Sequence, residues 1–310
     1  MVLRSLFIWL SANKTVRGWA EGSRVGRRLA SRFVAGTTVE EALAACERVN
    51  REGIAVSLDS LGESVADEAE ARAAAEIYHR LLDAIAEKKL NANVSLKLTQ
   101  MGFDISPELA EEIVGGIVGH AAAVGGFVRI DMEGSRYTEA TIALTERLHA
   151  RWPGSVGTVL QAYLYRTEAD AERLLGQGIR IRLCKGAYAE GADVAFPAKA
   201  DVDENYAKLM RRMVTFEREG RRVFCGIATH DEAILAAMRG FVQERGLAKS
   251  GFEFQMLYGV RRDLQRRLAA EGFGVRVYIP FGTAWYPYFM RRLAERPANV
   301  VFLMRSLLHR

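Results

Sequence analysis

The chain has 310 residues, 49% of them hydrophobic and 26% charged, a balance that excludes a disordered or fibrous protein and allows one large domain or two ordinary ones. Net charge is only +5, from 43 basic and 38 acidic side chains, and the arginine doublets at 27–28, 211–212, 221–222, 261–262, 266–267 and 291–292 are scattered, which speaks against a dedicated nucleic-acid binder. The three cysteines, Cys46, Cys184 and Cys225, form no CxxC pair, so neither a zinc site nor a disulfide framework is expected, and the compartment predicted is the reducing cytoplasm.

In chain order, residues 1–50 read as a helical arm. Its "LFIWL" (6–10) follows Arg4 but is too short for a signal peptide and lacks a small-residue cleavage site. No apolar run approaches 18 residues, so no transmembrane helix is expected. "TTVEEALAACERVNREG" opens on the capping-box pattern Thr38–Glu41 and closes at Gly53.

From residue 54 a rhythm sets in. Short β-rich runs recur at 54–59, 93–98, 127–132, 156–161, 179–184, 223–228, 252–257 and 275–280. Helical segments lie between them, several opening on Ser, Thr or Asp and ending at Gly. Among these are "TEATIALTERLHAR", "DENYAKLMRRMVTFEREG" (203–220) and "AWYPYFMRRLAERP". Eight β-α units in about 250 residues is the arithmetic of a (β/α)₈ TIM-like barrel, here over residues 51–310. The alternative is an open doubly wound sheet. It would place G-x-G-x-x-G after an early strand, whereas "GGIVGH" (115–120) has the wrong spacing and falls inside a helix.

In a barrel, alternate strand residues point inward. If the apolar set faces the helices, the inward set is polar: Ser95 and Lys97, Arg129 and Asp131, Gln161, Arg180 and Arg182, Glu253 and Gln255, Arg276 and Tyr278. Isolated buried charges are costly and paired ones tolerated. The members nearer the strand N-termini, Arg129, Arg180, Glu253 and Arg276, are expected to form a structural ion network. Lys97, Asp131, Gln161, Arg182 and Tyr278 fall at the C-terminal rim, where barrel active sites form. Lys97 reads as a lumen ion-pair partner or as an active-site cation, with Asp131 its partner in either case.

"CKGAY" (184–188) is the turn after the fifth strand, and its amides and Lys185 suit a phosphate or a flavin edge. In "ATHD" (228–231), Thr229 or Asp231 caps the next helix, and His230 is the one histidine at a strand end. Arg291 and Arg292 sit on the last helix, and such a pair holds a carboxylate where the helix edge faces the barrel mouth. No metal cluster, P-loop or Ser-His-Asp pattern is visible. A cation-rich mouth with one well-placed acid suits an anionic substrate beside an electron-accepting cofactor.

The segments "VSLKLT", "RIDME", "LQAYLYRTEAD", "IRLCKGAY", "ATHD", "FEFQMLYGVR" and "YIPFGTAWYPYFMRRLAERP" together resemble the proline dehydrogenase family, in its monofunctional bacterial form, from about residue 50 to the C-terminus. The resemblance implies a distorted barrel with FAD across its C-terminal mouth, oxidation of L-proline to Δ1-pyrroline-5-carboxylate, and transfer of the electrons to a quinone. It implies that Arg182 stabilises the reduced flavin, that Lys185, Gly186 and Ala187 contact the cofactor, and that Met132, Gln161, Thr229 and His230 add further contacts. It implies that Arg291 and Arg292 clamp the substrate carboxylate, and that Lys97, Asp131, Tyr278 and Leu257 complete the pocket. A separate pyrroline-5-carboxylate dehydrogenase would act downstream. A peripheral membrane contact through "LFIWL" and nearby arginines would serve quinone delivery. Cys184 departs from the β-branched residue more usual there. Another flavin barrel of the methylenetetrahydrofolate reductase kind, or a catalytically silent basic binding module, are the competing readings.

Overall fold

The computed structural model of the chain describes residues 30–295, with Ser23 and Gly26, and side chains up to Met290. "LFIWL" and the side chains of Arg291 and Arg292 lie outside the described residues.

Eight parallel strands close into a ring in strict chain order: β1 (Ala55–Ser60), β2 (Ala92–Leu96), β3 (Val128–Ile130), β4 (Val156–Gln161), β5 (Arg180–Cys184), β6 (Cys225–Ala228), β7 (Phe252–Leu257) and β8 (Gly274–Phe281), which pairs back onto β1. Each coincides to within about two residues with a predicted strand, except that β3 and β6 are shorter. Apolar residues line the outer wall. Val56, Leu58, Val94, Leu96, Ile130, Ile181, Leu183, Ile227, Phe254 and Ile279 are all fully buried under the helices. Each such side chain contributes roughly 1.5–3 kcal/mol by leaving water.

The helices are α1 (Val39–Asn50), α2 (Glu68–Glu87), α3 (Pro107–Ala123), α4 (Thr138–Arg151), α5 (Thr167–Gly176), α6 (Lys199–Thr215), α7 (Glu232–Glu244), α8 (Arg262–Ala270) and α9 (Trp285–Glu295). The capping box forms: Thr38 accepts from the Glu41 N–H, and Glu41 returns to the Thr38 N–H. Helix α1 packs on β1, β8 and α2, and so covers the seam where the barrel closes. Helix α9 instead clusters with Phe33, Val34, Leu61 and Val260.

Two local readings are corrected. Residues 203–220 are not one helix: α6 runs from Lys199 to Thr215, and a two-stranded ribbon, Glu217–Arg218 with Arg221–Arg222, follows. Glu219 and Gly220 both take positive φ, as a tight hairpin turn requires, so Gly220 serves that turn and not a helix end. Arg180 makes no direct ion pair in the lumen, although Glu253 and Arg276 act on it electrostatically. It lies exposed at the open N-terminal end of β5, with its guanidinium 5.2 Å from the Phe127 ring centre and 6.0 Å from that of Phe224.

Of the lower network one ion pair forms, Arg276 with Glu253, while Arg129 bonds to backbone carbonyls. Arg276 Nε donates to Glu253 at 2.6 Å, Gln255 Nε2 donates to the same carboxylate at 2.6 Å, and Arg129 Nη1 donates to the carbonyls of Thr158 (2.8 Å) and Arg180 (2.5 Å). A glycine makes room for it: a Cβ at Gly226 would stand 2.3 Å from Gln255 Nε2. Among the described arginine doublets, Arg212 pairs with Glu172 and both Arg262 and Arg266 pair with Glu52 on helix surfaces.

Candidate active site

Above the lower network the strands deliver a second layer of polar side chains. Arg182, mid-β5, crosses the lumen, and its donors are spoken for from four other strands or strand ends. Nη1 donates to Asp131 Oδ1 at 2.7 Å, Nη2 to the hydroxyls of Ser57 and Ser95 at 3.3 Å each, and Nε to the Gln255 side-chain oxygen. The Ser57 and Ser95 hydroxyls are 2.9 Å apart. Tyr278 donates its OH to Asp131 Oδ2 at 2.8 Å, and its ring lies 5.2 Å from the guanidinium. A planar fork held at every nitrogen cannot rotate, so its charge is fixed in place before any ligand arrives.

Lys97 follows β2 and lies beside this cluster, but its partner is not Asp131. It pairs with Asp59 on β1, at 3.3 and 3.4 Å to the two carboxylate oxygens, while Asp131 is taken by Arg182 and Tyr278. Burial pushes the Asp59 carboxyl up, against the pull of Lys97. Burial also works against the Lys97 ammonium, but the carboxylates of Asp59 and Asp131 outweigh it and hold Lys97 above the ordinary lysine value. The lysine therefore keeps its proton. Burial, with Asp131 and Asp59 nearby, pushes the Tyr278 hydroxyl well up, so it acts as a donor.

This layer floors a cavity of about 670 Å³ at the C-terminal end of the barrel. Eleven of the fourteen residues singled out from the sequence line it: Lys97, Asp131, Met132, Arg182, Lys185, Gly186, Ala187, Thr229, His230, Leu257 and Tyr278. Gln161 does not. It is buried at the end of β4, and its Oε1 has no hydrogen-bond partner among the described residues. Arg291 and Arg292 fall on α9, with their side chains outside the described set.

The loop after β5 is fixed from several sides. Gly186 has φ +117°, and a Cβ there would stand 2.4 Å from the Tyr163 ring, so only glycine fits. Tyr163 N–H donates to the Lys185 carbonyl at 2.9 Å. The Lys185 ammonium donates to Asp203 on α6 (2.5 Å) and to Asp231 (2.9 Å). The hydrogen bond from Lys185 holds Asp231 below the usual carboxylate range. Asp231 caps α7 by accepting from the Ala233 N–H at 3.1 Å, and Thr229 Oγ1 accepts from the Asp231 N–H at 3.0 Å. His230 is more than part of a cap: its Nε2 accepts from the Leu257 N–H at 3.0 Å, which leaves the ring proton on Nδ1 in the neutral form. Cys184 lines the cavity too, and burial pushes its thiol up to about 12, so it is an inert wall.

Asp59 is the residue the sequence reading missed. Its signal was the same alternation applied to β1, where Ser57 and Asp59 fall on the inward face of an otherwise aliphatic strand. Glu133, buried against the N–H (3.1 Å) and hydroxyl (2.7 Å) of Thr99, also ties the rim together. Among the described residues no group of three or more His, Cys, Asp or Glu could hold a metal ion, and no helix is long and apolar enough to cross a membrane.

The family model for proline dehydrogenase matches residues 42–305. The chain is 42% identical over 309 residues to proline dehydrogenase 1 of Bacillus subtilis (strain 168), covering 99% of both chains. The chain belongs to the proline dehydrogenase family. The Deinococcus radiodurans proline dehydrogenase is 41% identical over 284 residues, 90% of each chain. The bifunctional protein PutA of Escherichia coli (strain K12) is a more distant relative, at 27% identity over 90% of this chain and 24% of its own length. Among solved structures, proline utilization A of Bdellovibrio bacteriovorus superimposes with a TM-score of 0.80 over 95% of this chain and 36% of its own, at 23% identity, which establishes the shared barrel fold. The chain is therefore an oxidoreductase of the proline dehydrogenase type, and its fixed charges gather at the C-terminal mouth of the barrel.

Proposed function

We propose that the chain oxidises L-proline at the ring carbon next to nitrogen and releases Δ1-pyrroline-5-carboxylate, with FAD as the cofactor. The observation that carries the reading is Arg182, buried, immobilised from four strands and lining the floor of the cavity. The residues present fit a flavin. The cavity combines apolar walls (Met132, Val159, Ala228, Met256) with cationic groups. Met132, Gln161, Lys185, Gly186, Ala187, Thr229 and His230 would hold the cofactor, which when bound supplies a hydride acceptor at N5 and passes the electrons on to a quinone.

The chain's own groups then have separable tasks. Arg182 presents a positive charge to the region where negative charge accumulates, at no reorganisation cost because Asp131, Gln255, Ser57 and Ser95 already fix it. Asp131 aims both Arg182 and Tyr278. Lys97, held protonated by Asp59, gives the pocket a second cation; with Leu257, Tyr278, Arg291 and Arg292 it would seat the substrate. The proline ring loses a hydride from carbon and a proton from nitrogen, so the water-excluding walls guard the product's new C=N bond until release. A separate pyrroline-5-carboxylate dehydrogenase would consume it. The setting proposed is the cytoplasm, with peripheral contact to the membrane that holds the quinone.

Purified protein reconstituted with FAD should oxidise L-proline with a quinone analogue as acceptor, and absence of that activity overturns the reading. Arg291→Ala and Arg292→Ala should each raise KM by about 10–100-fold, the value of a charged hydrogen bond of 1.5–3 kcal/mol, with a smaller effect on kcat, since the carboxylate is bound alike in ground and transition states. An unchanged KM in both variants removes them from the pocket.

A further inference from the structure

The cavity has a dry floor and a wet rim. Side chains of Lys97, Asp131 and Arg182 are 12%, 12% and 8% exposed, whereas at the other edge Arg261 is 25% and Glu232 66% exposed. We infer that Arg261 grips the phosphate-bearing half of the flavin dinucleotide and sets the preference for FAD over smaller flavins; the inference rests on the flavin reading above.

Three observations carry it. First, Arg261 lines the main cavity and also borders a second one, of about 460 Å³, which it shares with Arg32 and Arg262. A ligand that fills the main cavity and extends outward can meet Arg261, which borders both spaces. Second, Arg261 has φ 54° and ψ 47°, a left-handed conformation that L side chains adopt only at a cost. The turn around it is over-determined: the Gln265 amide donates to the carbonyls of Leu257 (3.1 Å) and Val260 (2.8 Å), and the Arg261 carbonyl accepts from the N–H groups of Leu264 (3.0 Å) and Gln265 (3.1 Å). Strain held by so rigid a turn is characteristic of binding sites. Glycine would satisfy this backbone better, but only the arginine brings a guanidinium to the cavity edge.

Third, the two rim cations differ in how firmly they are held. Lys185 is shared between two carboxylates, Asp203 and Asp231, neither more than 29% exposed. Arg261 has the single, largely exposed partner Glu232, and exposed pairs of that kind are weak. A diphosphate, with more charge and more acceptor oxygens than one carboxylate, displaces Glu232 and takes the fork bidentately.

The test is the affinity of FAD and of riboflavin, which lacks phosphate, for the flavin-stripped protein, followed by flavin fluorescence. Arg261→Ala should weaken FAD binding by about tenfold or more and change riboflavin binding by less than about twofold. Glu232→Gln should leave FAD binding equal or tighter. Arg261→Gly separates binding from folding: it relieves the left-handed strain, so the stripped protein should melt higher while FAD still binds weakly. Equal losses for both flavins, or FAD affinity undiminished in Arg261→Ala, overturn the inference while leaving the flavin reading intact. Failure of the unaltered chain to bind either flavin overturns both.

Discussion

Arg182→Met should slow the reduction of bound flavin by proline about 10²–10³-fold in a single turnover, the range seen when one preorganised donor to a developing anion is removed. The side chain is suited to that task by what surrounds it. Its fork meets Asp131 at 2.7 Å and two serine hydroxyls at 3.3 Å, and its Nε meets Gln255, so no part of the charge is free to follow solvent. Methionine keeps much of the apolar stem and removes all four contacts. Arg182→Lys should recover only part of the rate, because a point charge with three rotatable donors cannot meet Asp131, Gln255 and both serines at once. KM should change far less than the reduction rate in either variant. Stopped-flow reduction at saturating proline reads this directly, and a wild-type rate in Arg182→Met would remove the side chain from the chemistry.

The second large effect is on stability and falls on Asp59. Asp59→Ala leaves Lys97, whose side chain is only 12% exposed, as a lumen cation without its closest carboxylate, and breaking a buried pair from one side costs about 3–5 kcal/mol. Asp131 lies near enough to act on Lys97, which places the expected loss at the lower end, near 3 kcal/mol, or a fall in Tm of about 4–5 °C for a chain of this length. Removing the second charge as well, in Asp59→Ala with Lys97→Met, should restore most of that loss, because an apolar pair needs no counter-ion. Thermal melts of the three variants check the pair. A double variant as unstable as the single one would show that the cost lies in packing and not in the orphaned charge.

Much of this architecture was legible because a closed parallel barrel imposes two rules on its sequence at once. The outer face of every strand must be aliphatic to meet the helices, and the inner face must carry groups that pair across the lumen, so "VSLKL", "FVRID" and "IRIRL" display both in a few residues. What alternation could not supply was partnership. Asp131 pairs with Arg182 and Tyr278 instead of Lys97, because side chains of different length meet at levels set by the tilt of the strands. Arg180 shares a face with Arg182 but lies one step too near the open end to be enclosed. Asp59 escaped notice because β1 reads as a hydrophobic strand closed by an acid. Arg261 escaped because its significance lies in a backbone angle, which a sequence states only when the residue is glycine.

On the proposed function, a prefixed cation at the mouth of the barrel favours the electron-rich form of the flavin. The reduction potential of the bound cofactor, compared between the unaltered protein and Arg182→Met, addresses it with no substrate present. The potential should be lower in the variant by about 60 mV, equivalent to about 2.8 kcal/mol for a two-electron couple. A potential unchanged by the loss of Arg182, in a variant that still binds the cofactor, would contradict it.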